Sequence, residues 1–222
     1  ALGILLLSGL SWAEGSIVIG LQAPITGDYA IEGQMAKQCV EIAAELINKE
    51  GGINGQPVEI VIADDASNPK DSALAAQKLI SQKVVAVIGS YGSSVTEPAA
   101  DLYERNKMVS VGYGCTAVQL TMSKERKFFF RTCGRDDSQG QFFAKFAVET
   151  MGWKRIAIMH DNQTYGKGVA EETMKYLEPY LKEGRAEVVY YDAITPKEKD
   201  YSAAITKLRE TQPDVWYYTA YY

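Results

Sequence analysis

The sequence predicts an α/β protein built on parallel, doubly wound sheets, arranged as two successive units. Short apolar, β-rich runs alternate with helix-period segments along the chain, the pattern of strand–helix–strand units whose strands lie parallel. The polar, glycine-bearing segments fall after the strands, at the edge where open α/β sheets carry their ligands. Two of these segments share a signature. Gly-Ser-Tyr-Gly-Ser-Ser-Val-Thr-Glu at 89–97 and Gly-Tyr-Gly-Cys-Thr-Ala-Val-Gln at 112–119 each place a hydroxyl three residues ahead of Glu or Gln, a capping box at a strand-to-helix turn. Free N–H groups at a helix start, the positive end of its dipole and a flanking hydroxyl make a receptor for a small carboxylate. Two such turns on neighbouring strands would form one pocket.

The elements follow in order. An apolar strand at 17–21 leads to a helix at 29–49, where Met35, Cys39, Ile42 and Leu46 recur at i, i+4, i+7 and i+11. That stripe reads as one core-facing side, with Cys39 a core residue, and Gly51-Gly52 stops the helix. A strand at 58–63 and a helix at 71–82 come next, then a strand at 84–88, a helix at 95–106 and a strand at 108–111. Phe128-Phe129-Phe130-Arg131 closes the first series. The second series has a helix at 138–151, a strand at 155–159, a helix at 168–181, a strand at 186–191, a helix at 201–210 and a strand at 215–218. Between the two, 132–137 holds Gly134 amid polar residues, the composition of a crossing rather than of a long linker. The division that results is 14–131 for the first α/β lobe and 132–222 for the second.

Composition narrows the function. The 222 residues are 46% hydrophobic and 23% charged, ordinary globular values that leave room for one or two cores. The formal net charge is −5 with the basic residues scattered, so no stripe exists to bind nucleic acid. Cys39, Cys115 and Cys133 have no CxxC spacing, and His160 is the only histidine. Zinc sites and Ser-His or Cys-His nucleophile pairs therefore lack material. Residues 2–10 are nearly all apolar, and Ser11-Trp12-Ala13 places small residues at both cleavage-determining positions. Residues 1–13 thus read as the remainder of a secretory signal, too short to span a bilayer, with the mature chain beginning at Glu14.

Other constellations are weaker. Gly112-x-Gly114-x-x-Ala117 resembles a dinucleotide fingerprint, but the polar run at 121–127 leads straight to another strand instead of forming the required helix. The turn at 89–93 lacks the spacing of a nucleophile elbow. Asp64-Asp65 reads as a structural strand end followed by the helix start Asn68-Pro69, and His160 as a satisfied structural histidine.

Taken in order, several phrases resemble the leucine/isoleucine/valine-type substrate-binding proteins of ABC transporters, which are type I periplasmic binding proteins. They are Pro-Ile-Thr-Gly-Asp-Tyr-Ala at 24–30, Ile-Asn-Lys-Glu-Gly-Gly-Ile-Asn-Gly at 47–55 and Asp-Asp-Ala-Ser-Asn-Pro-Lys at 64–70. Gly-Ser-Ser-Val-Thr-Glu-Pro-Ala at 92–99, Arg-Thr-Cys-Gly-Arg-Asp-Asp-Ser-Gln-Gly at 131–140 and His-Asp-Asn-Gln-Thr-Tyr-Gly-Lys-Gly at 160–168 complete the set. The resemblance runs from about residue 17 to the end. It implies two Rossmann-like lobes, joined by three crossovers, that close on a ligand.

The same resemblance implies the roles of individual residues. Ser93 and Thr116, with Cys115 between Thr116 and Gly114, would hold a ligand carboxylate, the Gly114 carbonyl would receive its ammonium, and Tyr165 and Tyr221 would cover it. Glu32 stands near a position that is aromatic in leucine-type proteins and would favour a polar or cationic ligand side chain. Ser67 and Gly92 replace a cysteine pair of some relatives, which implies no disulfide there. The expected function is a periplasmic, non-enzymatic receptor that passes an amino acid or small amide to a membrane ABC permease, without cofactor, metal or nucleic acid. A ligand-sensing domain of the same fold on a receptor, or a nucleotide-dependent enzyme, are the alternatives. The resemblance further implies a chain truncated at both ends, lacking the acidic partner of the ligand ammonium.

Overall fold

In a computed structural model, the structure describes residues 15–122 and 125–221. The segment read as a secretory signal lies outside the described residues. Two parallel sheets form. The first has the order β2-β1-β3-β4-β5, from β1 (Ile17–Ala23), β2 (Val58–Asp64), β3 (Ala86–Ile88), β4 (Val109–Gly112) and β5 (Phe129–Arg131). The second has the order β7-β6-β8, from β6 (Arg155–His160), β7 (Glu187–Ala193) and β8 (Val215–Thr219). In each sheet the chain first moves outward and then crosses back, so the strand order reverses once, between β1 and β3 and between β6 and β8. Ligands of doubly wound sheets bind beyond the carboxyl ends of the strands at such a reversal.

The helices are α1 (Ala30–Lys49), α2 (Pro69–Ser81), α3 (Ser93–Arg105), α4 (Asp136–Lys145), α5 (Thr164–Lys182) and α6 (Ser202–Glu210). Asn68 caps α2 through its side chain, which accepts the Lys70 N–H, with Pro69 at the first helical position. The first core, from Ala63, Ala75, Ala76, Leu79, Val84, Val87, Ala99 and Tyr103, lies where α2 and α3 meet the first sheet. In the second unit, α4 and α5 pack over Ile156 and Ile158, while Leu208 of α6 packs with Ala157 and Met159. The alternation along β6 separates these two sets onto opposite faces, so the second sheet is covered on both.

Three expectations are corrected here. The α1 stripe is not core: Cys39 is exposed and Met35, Ile42 and Leu46 are 57, 58 and 57% exposed. The helix instead buries small residues, Gly33 and Ala44. A Cβ on Gly33 would come within 1.9 Å of the Pro24 carbonyl oxygen, so close approach to the backbone of the β1 turn selects the buried face. Larger apolar residues are left on the other side, and Val109 of β4 and Phe130 of β5 are also exposed. Second, the turn at 112–119 does not open an α-helix. It gives one 3₁₀ turn, Val118–Leu120, while the helix after 89–97 begins at Ser93 with Gly92 as its cap and no side-chain capping bond. Third, the helix expected over 138–151 starts earlier and loosens into a π-turn at Phe146–Thr150, with the Met151 N–H donating to the Phe146 carbonyl at 3.0 Å.

Beneath the first reversal runs a buried polar network. Tyr103 donates its hydroxyl to the Gln22 side-chain oxygen at 2.6 Å, and the Gln22 amide donates to the Ser72 hydroxyl at 2.8 Å. Ser72 donates to the Val95 carbonyl at 2.5 Å, and Ser90 donates to the Asp65 carboxylate at 2.5 Å. These bonds tie β1, α2, α3 and the turn at 89–92 into one rigid base, since a buried polar group left unpaired would cost its full desolvation.

Candidate functional site

The two reversals face each other, and the turns after β1, β3, β6 and β8 meet there. Tyrosines dominate the junction. Tyr221, just beyond β8, lies with its ring centroid 4.8 Å from that of Tyr29, 5.0 Å from Tyr165 and 6.0 Å from Tyr91. Tyr113 extends the group, 6.3 Å from Tyr91. Burial pushes the phenols of Tyr113 and Tyr221 well above the ordinary tyrosine value, so both stay protonated and able to donate. The backbone N–H of Tyr221 is 3.3 Å from Asp161, which in turn accepts the Gln163 N–H at 3.0 Å. Gly166 permits this approach: a Cβ there would lie 2.3 Å from both Asp161 and the Thr219 carbonyl.

Most of the residues expected from the sequence come together. Ser93, at the start of α3, is buried; its hydroxyl accepts the Ala117 N–H at 3.1 Å and so couples the two ligand turns. Its own N–H donates to the Tyr221 hydroxyl at 3.4 Å, which places a second-unit phenol on the helix start where a carboxylate was expected. The Gly114 carbonyl accepts the Gly92 N–H at 2.7 Å and keeps a second lone pair. Cys115 is fully buried. The Thr116 carbonyl accepts the Asp136 N–H at 3.0 Å, and the Thr116 side chain opposes the rise in the Asp136 pKa that burial causes. Gly114, Thr116, Tyr91, Tyr165 and Tyr221 line a cleft cavity of about 700 Å³. Glu32 stands apart: half-buried in the first turn of α1, it is felt electrostatically by Tyr113 but lines neither cleft cavity.

Several neighbours were not singled out by the sequence. Arg131, the last residue of β5, donates to the carbonyls of Cys115 and Ala117 at 2.9 Å each and to the Thr121 hydroxyl, holding the second ligand turn in shape. Asp136 is 1% exposed with one carboxyl oxygen unpartnered, and burial raises its pKa to about 6. Gln139 links α4 to α5 within the second unit by donating to Asp136 at 3.4 Å and accepting the Tyr165 hydroxyl at 3.2 Å. Tyr29 and Tyr91 were legible in one respect, since both stand in turns that follow strands at the reversal. Across the cleft, Tyr221 separates the first cavity from a second of about 540 Å³, at whose rim Lys197 pairs with Asp28 at 2.5 Å.

The two aspartates after β2 are structural. Asp64 accepts the N–H groups of Ile25, Thr26 and Ala66 and the Thr26 hydroxyl, bonds that hold its pKa below the usual carboxylate value although desolvation opposes them. Asp65 is buried in the network under the site. His160 accepts the Asn162 N–H at 3.0 Å, and burial lowers its pKa. Among the described residues no group of three or more His, Cys, Asp or Glu is placed to hold a metal, and no helix is long and apolar enough to cross a membrane.

The model of one family, described as periplasmic binding protein, matches residues 16–222. The chain belongs to the periplasmic binding protein family. Among such proteins, the Leu/Ile/Val-binding protein homolog 3 of Brucella melitensis is 36% identical over 212 residues, 96% of this chain and 56% of that protein. The leucine-, isoleucine-, valine-, threonine- and alanine-binding protein of Pseudomonas aeruginosa is 36% identical over 222 residues, 100% of this chain and 58% of that protein. Of solved periplasmic binding proteins, the branched-chain amino acid transporter substrate-binding protein LivJ of Streptococcus pneumoniae, in complex with isoleucine, superposes with a TM-score of 0.82 at 25% identity, over 92% of this chain and 57% of its own. The leucine-binding protein LivK of Thermotoga maritima gives 0.80 at 28% identity, over 91% of this chain and 55% of its own. The chain therefore spans a little over half the length of these relatives, and shares with them the type I periplasmic binding protein fold.

Proposed function

We propose that this chain is the larger part of an extracytoplasmic receptor, secreted to the periplasm through a cleaved signal, that captures an amino acid or small amide and delivers it to an ABC permease. The observation that carries the reading is the cleft cavity between the two sheets, with Gly114 and Thr116 on one wall and Tyr165 and Tyr221 on the other. A zwitterion fits that wall. Its carboxylate would take the Ser93 N–H from the Tyr221 phenol and accept the Thr116 hydroxyl, and its ammonium would take the free lone pair of Gly114. Cys115 supplies backbone between them. The buried start of α3 strengthens these charge-assisted bonds.

In this proposal the lobes 14–131 and 132–222 close on the ligand, and affinity follows the population of the closed state. Glu32 makes the field at Tyr113 more negative and so favours a polar or cationic ligand side chain over leucine's. A thermal-shift screen of the twenty common amino acids against the protein at its natural length tests the reading, because a ligand that binds only the folded state raises the melting temperature. A concentration-dependent rise with at least one amino acid or amide supports it; no shift with any of them at millimolar concentration overturns it. Glu32→Gln is expected to move the ranking towards apolar side chains.

A further inference from the structure

Two of the three cysteines face each other where the second ligand turn meets the crossing into the second unit. Cys115 is fully buried between Gly114 and Thr116, and Cys133, two residues beyond β5, is partly exposed and lines an open surface depression with Phe130 and Arg135. The Cys133 thiol donates to the Cys115 carbonyl oxygen at 3.5 Å, and the two side chains are close enough for each to perturb the other's titration. The third, Cys39, stands on the exposed side of α1.

The pair is chemically unequal. The neighbouring Cys115 and the Arg131 guanidinium lower the pKa of Cys133, whereas the neighbouring Cys133 and burial raise that of Cys115. Cys133 is thus the partly exposed and more readily ionised thiol, with buried Cys115 beside it, the arrangement of an attacking and a resolving cysteine.

We propose that Cys115 and Cys133 form a redox modification site, converted by a small-molecule disulfide into an intramolecular disulfide that ties the ligand turn to the crossing. Cys133 gives up its proton and its thiolate attacks one sulfur of the oxidant RS–SR; a Cys133–S–S–R bond forms, the RS–SR bond breaks, and RS⁻ leaves and takes up a proton. Cys115 then gives up its proton, its sulfur attacks the Cys133 sulfur, and the second RS⁻ departs. Two thiols and one RS–SR become one protein disulfide and two RSH, so the oxidant accepts the two electrons the cysteines lose.

The test uses reduced protein incubated with oxidised glutathione, then denatured, alkylated and mapped by mass spectrometry. Before alkylation the expected product is lighter than the reduced chain by about 2 Da; after it, a crosslinked peptide pair joins Cys115 to Cys133 and the alkyl label sits on Cys39 alone. Closing the intervening loop should also raise the melting temperature. Cys133→Ser should abolish the crosslink and leave Cys115 open to label after denaturation, and Cys39→Ser should leave the crosslink intact. Alkylation of both Cys115 and Cys133 after oxidation, or a glutathione adduct on Cys133 that Cys115 never displaces, would overturn the proposal.

Discussion

Thr116 is the residue on which the binding reading bears most heavily, because its carbonyl is held by the Asp136 N–H while the residue lines the cleft. Removing its hydroxyl deletes one charge-assisted bond to a bound carboxylate, so Thr116→Ala is expected to weaken amino-acid binding by roughly 1–3 kcal/mol. Asp136 gives a second, independent expectation. Its pKa is raised by burial from 3.8 to about 6, so between those values the folded state holds a proton that the unfolded state has released. Stability should therefore fall as pH rises from about 4 to about 6 and level off above. Asp136→Asn should remove that slope and stabilise the fold at pH 7.5 by roughly 1–3 kcal/mol. Melting curves of both proteins across this range check it, and parallel pH profiles would refute the assignment. Ser93 and Thr116 were legible because hydroxyls at strand-to-helix turns carry a local signal, whereas Tyr165 and Tyr221 came only from the family resemblance. Arg131 and Asp136 had none, since the meaning of each depends on which carbonyl or hydroxyl lies across from it.

At the scale of elements, strand–helix alternation was readable because each strand is short, apolar and bounded by turn residues. The facing of α1 was not. A helix usually buries its large apolar residues, but here the backbone of the β1 turn is so near that only Gly33 fits against it, and the large residues turn outward. The two readings differ sharply in the laboratory. If Ile42 and Leu46 were core, replacing both with Lys would cost several kcal/mol; exposed as they are, the double substitution should change stability by less than about 1 kcal/mol and reduce self-association. Chemical denaturation with sedimentation analysis distinguishes the outcomes. The second capping box failed for a different reason. The 3₁₀ turn starts after Ala117 with no side-chain capping bond, and Arg131 holds the carbonyls of Cys115 and Ala117 at its start. The network beneath β3 was also invisible locally, since its members come from β1, α2, α3 and a turn. Tyr103→Phe leaves the Gln22 side-chain oxygen without its donor and should cost about 1–3 kcal/mol.

For the whole molecule, the arrangement of two reversals face to face explains why residues far apart in sequence share one cleft. Ser93 and Tyr221 are separated by 128 positions yet bond directly, because each follows a strand at the reversal of its own sheet. In the proposed reading a ligand carboxylate at Ser93 displaces the Tyr221 hydroxyl, so that binding would be coupled to the relation between the two units. Membership of the periplasmic binding protein family and the fold shared with leucine- and isoleucine-binding relatives agree with that geometry. The most direct test is calorimetric titration of the protein at natural length with the amino acid that most raises its melting temperature, run in parallel on Thr116→Ala. One-to-one binding that the substitution weakens about 5- to 150-fold is predicted; equal affinities for the two proteins would contradict the assignment of this cleft as the amino-acid site.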